Sequence, residues 1–163
     1  MGLGFDRVGI FEVDEKNNSI KGRLGVDRIG RPENIENQIF VMDEEDNNFA
    51  KIALGKIAYF FTEDAESDLP ESQKKYIVSG LKQNAIVPMK ILGKIIGMIA
   101  VDNVITRKAI SDEDIKLLLT FADQAAAALH KARMYGKERE NSVRLKKLEE
   151  LKSVFLSKIS HEL

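Results

Sequence analysis

Residues 85–103 read Ala85-Ile86-Val87-Pro88-Met89-Lys90-Ile91-Leu92-Gly93-Lys94-Ile95-Ile96-Gly97-Met98-Ile99-Ala100-Val101-Asp102-Asn103. Two apolar runs flank Gly93-Lys94, which reads as a hairpin. The second run has the look of a central strand, whereas Pro88 in the first predicts a bulge or a missing ladder bond. Upstream, Phe5 to Val13 is rich in Val, Ile and Phe, a polar cluster Asp14-Glu15-Lys16-Asn17-Asn18 suits a turn, and Ser19 to Val26 completes a first hairpin. Gly30 and Pro32 place a loop over residues 28–36, followed by the short apolar run Ile39-Phe40-Val41-Met42. Asn48 is the expected cap of a short helix in which Phe49, Ile52 and Ala53 share a face, with Gly55 at its C-terminal end. The alternation of Ile57, Tyr59 and Phe61 predicts a strand over 56–61. A polar loop follows over 62–68, then a helix around 70–83 that carries Tyr76, Ile77 and Leu81.

Downstream, Ser111-Asp112-Glu113-Asp114 is a strong helix start, because a capping serine precedes acids that favour the positive end of the helix dipole. From there no proline occurs and Gly136 is the only glycine, so an unbroken helix to Leu163 would be about 78 Å long. Its apolar face is dense through Leu118, Ala122, Ala125, Leu129 and Ala132, and it disappears between Gly136 and Ser142, where a domain boundary is expected. Beyond the gap, Leu145, Leu148, Phe155 and Ile159 fit a heptad seam with Lys152 at one core position and Leu151 beside it. This predicts a parallel homodimer through the C-terminal helix. A monomeric amphipathic helix is the plainer alternative.

Composition narrows the function. The chain has 163 residues, 44% hydrophobic and 31% charged, which supports one core of ordinary domain size plus a helical tail. With 25 basic and 26 acidic side chains, no overall field recruits nucleic acid, and the mixed signs of 137–152 read as a solvated helix surface. Cysteine is absent, which removes disulfides, thiolate metal sites and cysteine nucleophiles. No apolar run reaches the roughly 18 residues that span a bilayer, and no signal peptide is evident. A cytoplasmic location is expected, with room for membrane spans in a longer parent.

The order strand, strand, short helices, strand, helix, strand, strand, long helix resembles the GAF domain, a sensory module. Local strings carry the resemblance: Phe5-Asp6-Arg7-Val8-Gly9-Ile10-Phe11, the hairpin from Gly93 to Asn103, and Phe121-Ala122-Asp123-Gln124-Ala125-Ala126-Ala127-Ala128-Leu129. The fold so implied is α+β, an antiparallel sheet with helices on its faces, closing in a long C-terminal signalling helix. Family members commonly begin with a helix before the first strand, and only Met1 to Gly4 precede it here. The last nine residues, Phe155-Leu156-Ser157-Lys158-Ile159-Ser160-His161-Glu162-Leu163, resemble the phosphoacceptor box of sensor histidine kinases, which usually continues with Arg-Thr-Pro. The expected organisation is a GAF-like sensory domain over 1–135, a charged coiled-coil linker helix over 136–150, and the start of a dimerisation and phosphoacceptor domain over 151–163.

On this second resemblance His161 is the phosphoacceptor and Glu162 the putative base. A neutral imidazole is nucleophilic near pH 7, and an adjacent carboxylate stabilises the charge that develops as nitrogen bonds to phosphorus. The resemblance implies ATP and magnesium for the parent kinase, along with a kinase catalytic domain and a response regulator as partners. The chain itself shows no glycine-rich nucleotide loop and no asparagine box, so no cofactor and no activity are expected of it alone. Sensory pockets of the GAF family imply a ligand site around 35–54, with Phe60 and Tyr76 as candidate ligand-binding residues for an unknown small molecule. Plain core aromatics are the alternative reading. The Asn-Lys-x-x-x-Phe-x-x-x-Asp-Glu pattern of cyclic-nucleotide-binding members is not found. The lack of cysteine disfavours both bilin attachment and the methionine sulfoxide reductases that share the fold. His130 lacks neighbouring ligands for a metal site, and Asp43-Glu44-Glu45-Asp46 lacks the donor spacing of a calcium loop.

Overall fold

The computed structural model of the chain describes residues 4–43, 46–138 and 141–160. Alternation on the central strands dictates a sheet buried on both faces. Strand β1 (Arg7–Asp14) pairs antiparallel with β2 (Ser19–Asp27) on one side and β7 (Lys94–Asp102) on the other. Strand β6 (Asn84–Ile91) continues the sheet beyond β7, and β5 (Phe60–Thr62) forms the far edge. Two short strands, β3 (Pro32–Glu33) and β4 (Ile39–Val41), pair with the outer edge of β2, giving seven strands in all.

On one face Val8, Ile10, Val87, Ile99 and Val101 meet helix α4 (Asp112–Glu138). The residues between them, Phe11, Ile86 and Met98, point to the other face, where Ile35, Phe40, Phe49 and Ile52 cover them. Each aliphatic side chain so buried contributes about 1.5–3 kcal/mol. Ala122, Ala125 and Ala126 are buried on α4 and let its backbone lie close to the sheet. The start of α4 forms the expected reciprocal cap: Asp114 N–H donates to Ser111 Oγ at 3.1 Å, and Ser111 N–H donates to Asp114 Oδ2 at 2.9 Å.

The hairpin over 85–103 is present with its turn one residue earlier than expected, at Leu92 and Gly93. Their φ values of 49° and 79° match the left-handed geometry of a two-residue hairpin. Next to Pro88 the register with β7 shifts between Met89 and Lys90, which is the irregularity that the proline predicts. Helix α1 (Asn48–Ala53) is capped by Asn47 and not Asn48: the Asn47 side chain accepts from Ala50 N–H at 2.7 Å. The strand expected over 56–61 shrinks to Phe60–Thr62, since Lys56 to Tyr59 have no pairing partner in the ladder. The polar loop over 62–68 closes one turn of helix, α2 (Ala65–Asp68). The helix expected around 70–83 is also a single turn, α3 (Glu71–Lys74), and Gly80 adopts φ 83° in the irregular stretch after it.

The unbroken closing helix is the largest difference. Helix α4 is long, at 27 residues, and a second helix, α5 (Asn141–Ser160), lies antiparallel beside it. Ala125 and Leu129 stand near Phe155 and Leu151, while Tyr135 meets Lys147, whose Nζ lies 4.5 Å from the ring centroid. Leu156 and Ile159 are buried in the same core as Val8 and Val26. The apolar gap that marked a boundary in sequence therefore coincides with the reversal between two packed helices. Among the described residues no helix is long and apolar enough to cross a membrane.

Candidate functional site

On the face opposite α4, a cavity of about 100 Å³ lies between the sheet and the segments from Glu33 to Ile77. Its floor comes from the alternate positions of β1 and β7, namely Arg7, Gly9, Phe11, Ala100 and Asp102, and its cover from Ile35, Gln38, Phe40, Gln73 and Tyr76. The volume is below the roughly 300–1,000 Å³ of pockets for drug-sized ligands.

Aromatic packing builds one wall. Phe40 and Phe49 stack with centroids 4.3 Å apart, Phe11 lies 4.6 Å from Phe49, and Tyr76 meets Phe40 edge-on at 5.4 Å. The sequence-predicted Tyr76 thus lines the cavity, with its hydroxyl 3.5 Å from Ile39 N. Phe60 does not line it; half-buried on β5, it packs between the aromatic cluster and the small core of Ala65, Leu69 and Leu81. His161 and Glu162 lie outside the described residues, as do Glu44 and Glu45 of the acidic run. His130 is half-buried on α4.

The polar side of the cavity was not singled out in the sequence. Arg7 Nε lies 3.1 Å from both carboxylate oxygens of Asp102, and the Arg7 NH2 group is 2.5 Å from Asp102 Oδ2. Burial acts to lower the Arg7 pKa, but the hydrogen bond and charge of Asp102 outweigh it, and the guanidinium is held above its ordinary value. Glu33 adds a second carboxylate to the lining, so the cavity carries two acids against one base. The period of two on β1 places Arg7 on the same face as Phe11, a usable signal; its partner lies 95 residues away, which no local pattern encodes.

Gln73 is 3% exposed, and its Oε1 accepts from Asn48 N–H at 2.7 Å, tying α3 to the start of α1 across the cavity. Gln73→Leu leaves that buried N–H unpaired and is expected to lower stability by about 2 kcal/mol. Urea unfolding of the variant, with an unchanged slope and a lower midpoint, would verify it. Among the described residues no group of three or more His, Cys, Asp or Glu is placed to hold a metal ion.

A profile of the GAF domain family matches residues 2–129. Solved structures agree in fold. A methyl-accepting chemotaxis protein, residues 122 to 287, superposes with a TM-score of 0.66 at 24% identity over 82% of this chain and 83% of its own. The GAF domain of a two-component sensor histidine kinase from Bacillus halodurans gives 0.61 at 16% identity, covering 81% and 86%. The type II free methionine-R-sulfoxide reductase from Thermoplasma acidophilum gives 0.59 at 20% identity, covering 80% and 82%. Among curated proteins none matches significantly. With an antiparallel sheet, an aromatic-walled cavity on one face and a long helix on the other, and with the family profile spanning most of its length, the chain belongs to the GAF domain family.

Proposed function

We propose that this chain is the sensory input and dimerisation part of a cytoplasmic two-component histidine kinase, with His161 as phosphoacceptor and Glu162 as its base. The observation that carries the reading is the string Phe155 to Leu163, which lies downstream of a GAF domain matched over residues 2–129. A ligand or partner acts at the cavity bounded by Tyr76 and Arg7, and the change passes through the shared sheet to the helices on its other face. ATP and magnesium belong to the catalytic domain of the parent kinase, and the phosphate passes on to a response regulator. The sulfoxide reduction named for one similar structure is not assigned to this chain, which has no cysteine.

A second reading, a constitutive dimerisation spacer without a ligand, is favoured by one feature: the aromatic rings pack on one another and leave only a small cavity. Native mass spectrometry of the purified chain separates the two. A dimer with a reproducible extra mass is the expected result and supports the sensor. A bare dimer that binds nothing from a library of small metabolites would favour the spacer, and a monomer at every concentration would remove dimerisation from both.

A further inference from the structure

We infer that helix α5 has two mutually exclusive partners: the α4 and sheet face of its own domain, and the α5 of a second copy of the chain. This rests on the proposed dimerisation through the C-terminal helix. The seam available for pairing comprises Leu145, Leu148, Lys152, Phe155 and Ile159. In this structure Phe155 and Ile159 pack into the domain's own core, and Leu148 and Lys152 are half-buried beside it. Ile159 is fully buried in the core beneath α4, Phe155 packs against that core, and Leu148 and Lys152 line a cavity together with Ile10 and Arg133. One stripe of a helix cannot face a sheet and a partner helix together, so release from the domain is a precondition for pairing.

The seat is also built to be left. Open clefts of about 400 Å³ and 420 Å³ flank α5 where it crosses the sheet, so its sheet-facing side is incompletely packed, while its α4-facing side is close and Ile159 is fully buried. The charges at the gap are poorly matched. Arg23, Arg133 and Lys152 line one cleft with a single carboxylate, Glu12, which lies 3.2 Å from Arg23 and 3.6 Å from Arg133. Lys152 makes no ion pair among the described residues. Incomplete packing forfeits dispersion contacts, and a cleft lined by three cations and one acid disfavours holding Lys152 in it, so both features weaken docking at the heptad centre. While α5 is docked, the run that leads into His161 is kept from a second copy.

Two positions separate the states. Leu156 is 3% exposed in the docked helix but lies beside the seam, whereas Leu145 belongs to the seam and is 62% exposed. The experiment compares the full 163-residue chain with its L156E and L145E variants by amide hydrogen exchange and sedimentation equilibrium. L156E is expected to speed exchange over 151–159 at least 10-fold and to tighten self-association at least 10-fold, with β6 and β7 still protected. L145E is expected to leave exchange over 151–159 unchanged in dilute solution and to weaken self-association at least 10-fold. The inference is overturned if L156E leaves exchange unaltered, or frees α5 without tightening association. It is equally overturned if both variants weaken association alike. Should L156E lose protection in β6 and β7, the milder L156A is read by the same criteria. Neither readout involves phosphate or a bound ligand, so failure removes the competition and leaves the sensory reading standing.

Discussion

In the kinase proposed as the parent of this chain, His161→Gln is expected to abolish the incorporation of acid-labile phosphate from ATP, because glutamine keeps a polar side chain of similar reach but has no nucleophilic ring nitrogen. Glu162→Gln in the same protein is expected to slow the reaction by about 10²-fold or more, the usual contribution of a positioned general base, without abolishing it. The pair is informative together. A nucleophile is required for any product, whereas a base changes the rate, so the two variants differ in kind as well as in size. Both are measured as the rate of label transfer from radioactive ATP with magnesium, followed by acid treatment. Undiminished labelling of the His161 variant would refute the assignment of the phosphoacceptor. Equal and complete loss in both variants would instead identify the carboxylate as essential and not auxiliary. Because α5 reaches Ser160, one residue before His161 in the chain, these variants test the site without touching the described core.

Gly22→Ala is expected to cost about 3 kcal/mol of stability and to disrupt the cavity cover. A Cβ built on Gly22 would stand 2.1 Å from the Ile35 carbonyl oxygen and 2.9 Å from its carbon. Both are backbone atoms and cannot turn aside as a flexible side chain would. The approach is also fixed by a hydrogen bond, since Gly22 N–H donates to the Gln38 carbonyl at 2.8 Å. The added methyl therefore has to push the 34–38 segment off β2, taking with it buried Ile35 and cavity-lining Gln38. The check is a thermal or urea midpoint together with hydrogen exchange at 35–40, which should rise while α4 stays protected. An unchanged midpoint would mean that the 34–38 segment adapts freely, and would remove it as a fixed wall of the cavity.

These contacts mark how far local reading went. The 85–103 hairpin was legible because both strands are central and apolar and the turn contains a glycine. The cap at Ser111 was legible because all of its partners lie within four residues. The stretch 70–83 reads locally as a helix because Tyr76, Ile77 and Leu81 have helical spacing, yet Gln73 and Tyr76 are recruited to distant groups, Asn48 N–H and the Phe40 ring, and the chain follows those contacts after a single turn. Tyr76 was found as a cavity residue by its family position and aromatic character. Arg7, Asp102 and Gln73 were not, because each owes its place to a partner far along the chain.

By itself the sequence determined the two-sided sheet, the capped closing helix and the family, since strand period, turn chemistry and motif order are all local properties. Only the tertiary structure decided where α5 goes. The heptad positions Leu148, Phe155 and Ile159 form an apolar stripe that any complementary apolar surface satisfies, and burial has no direction of its own. In this structure the uncovered face of β1 and β2 beside α4 supplies that surface, so a helix whose pattern reads as one half of a pair packs against its own domain.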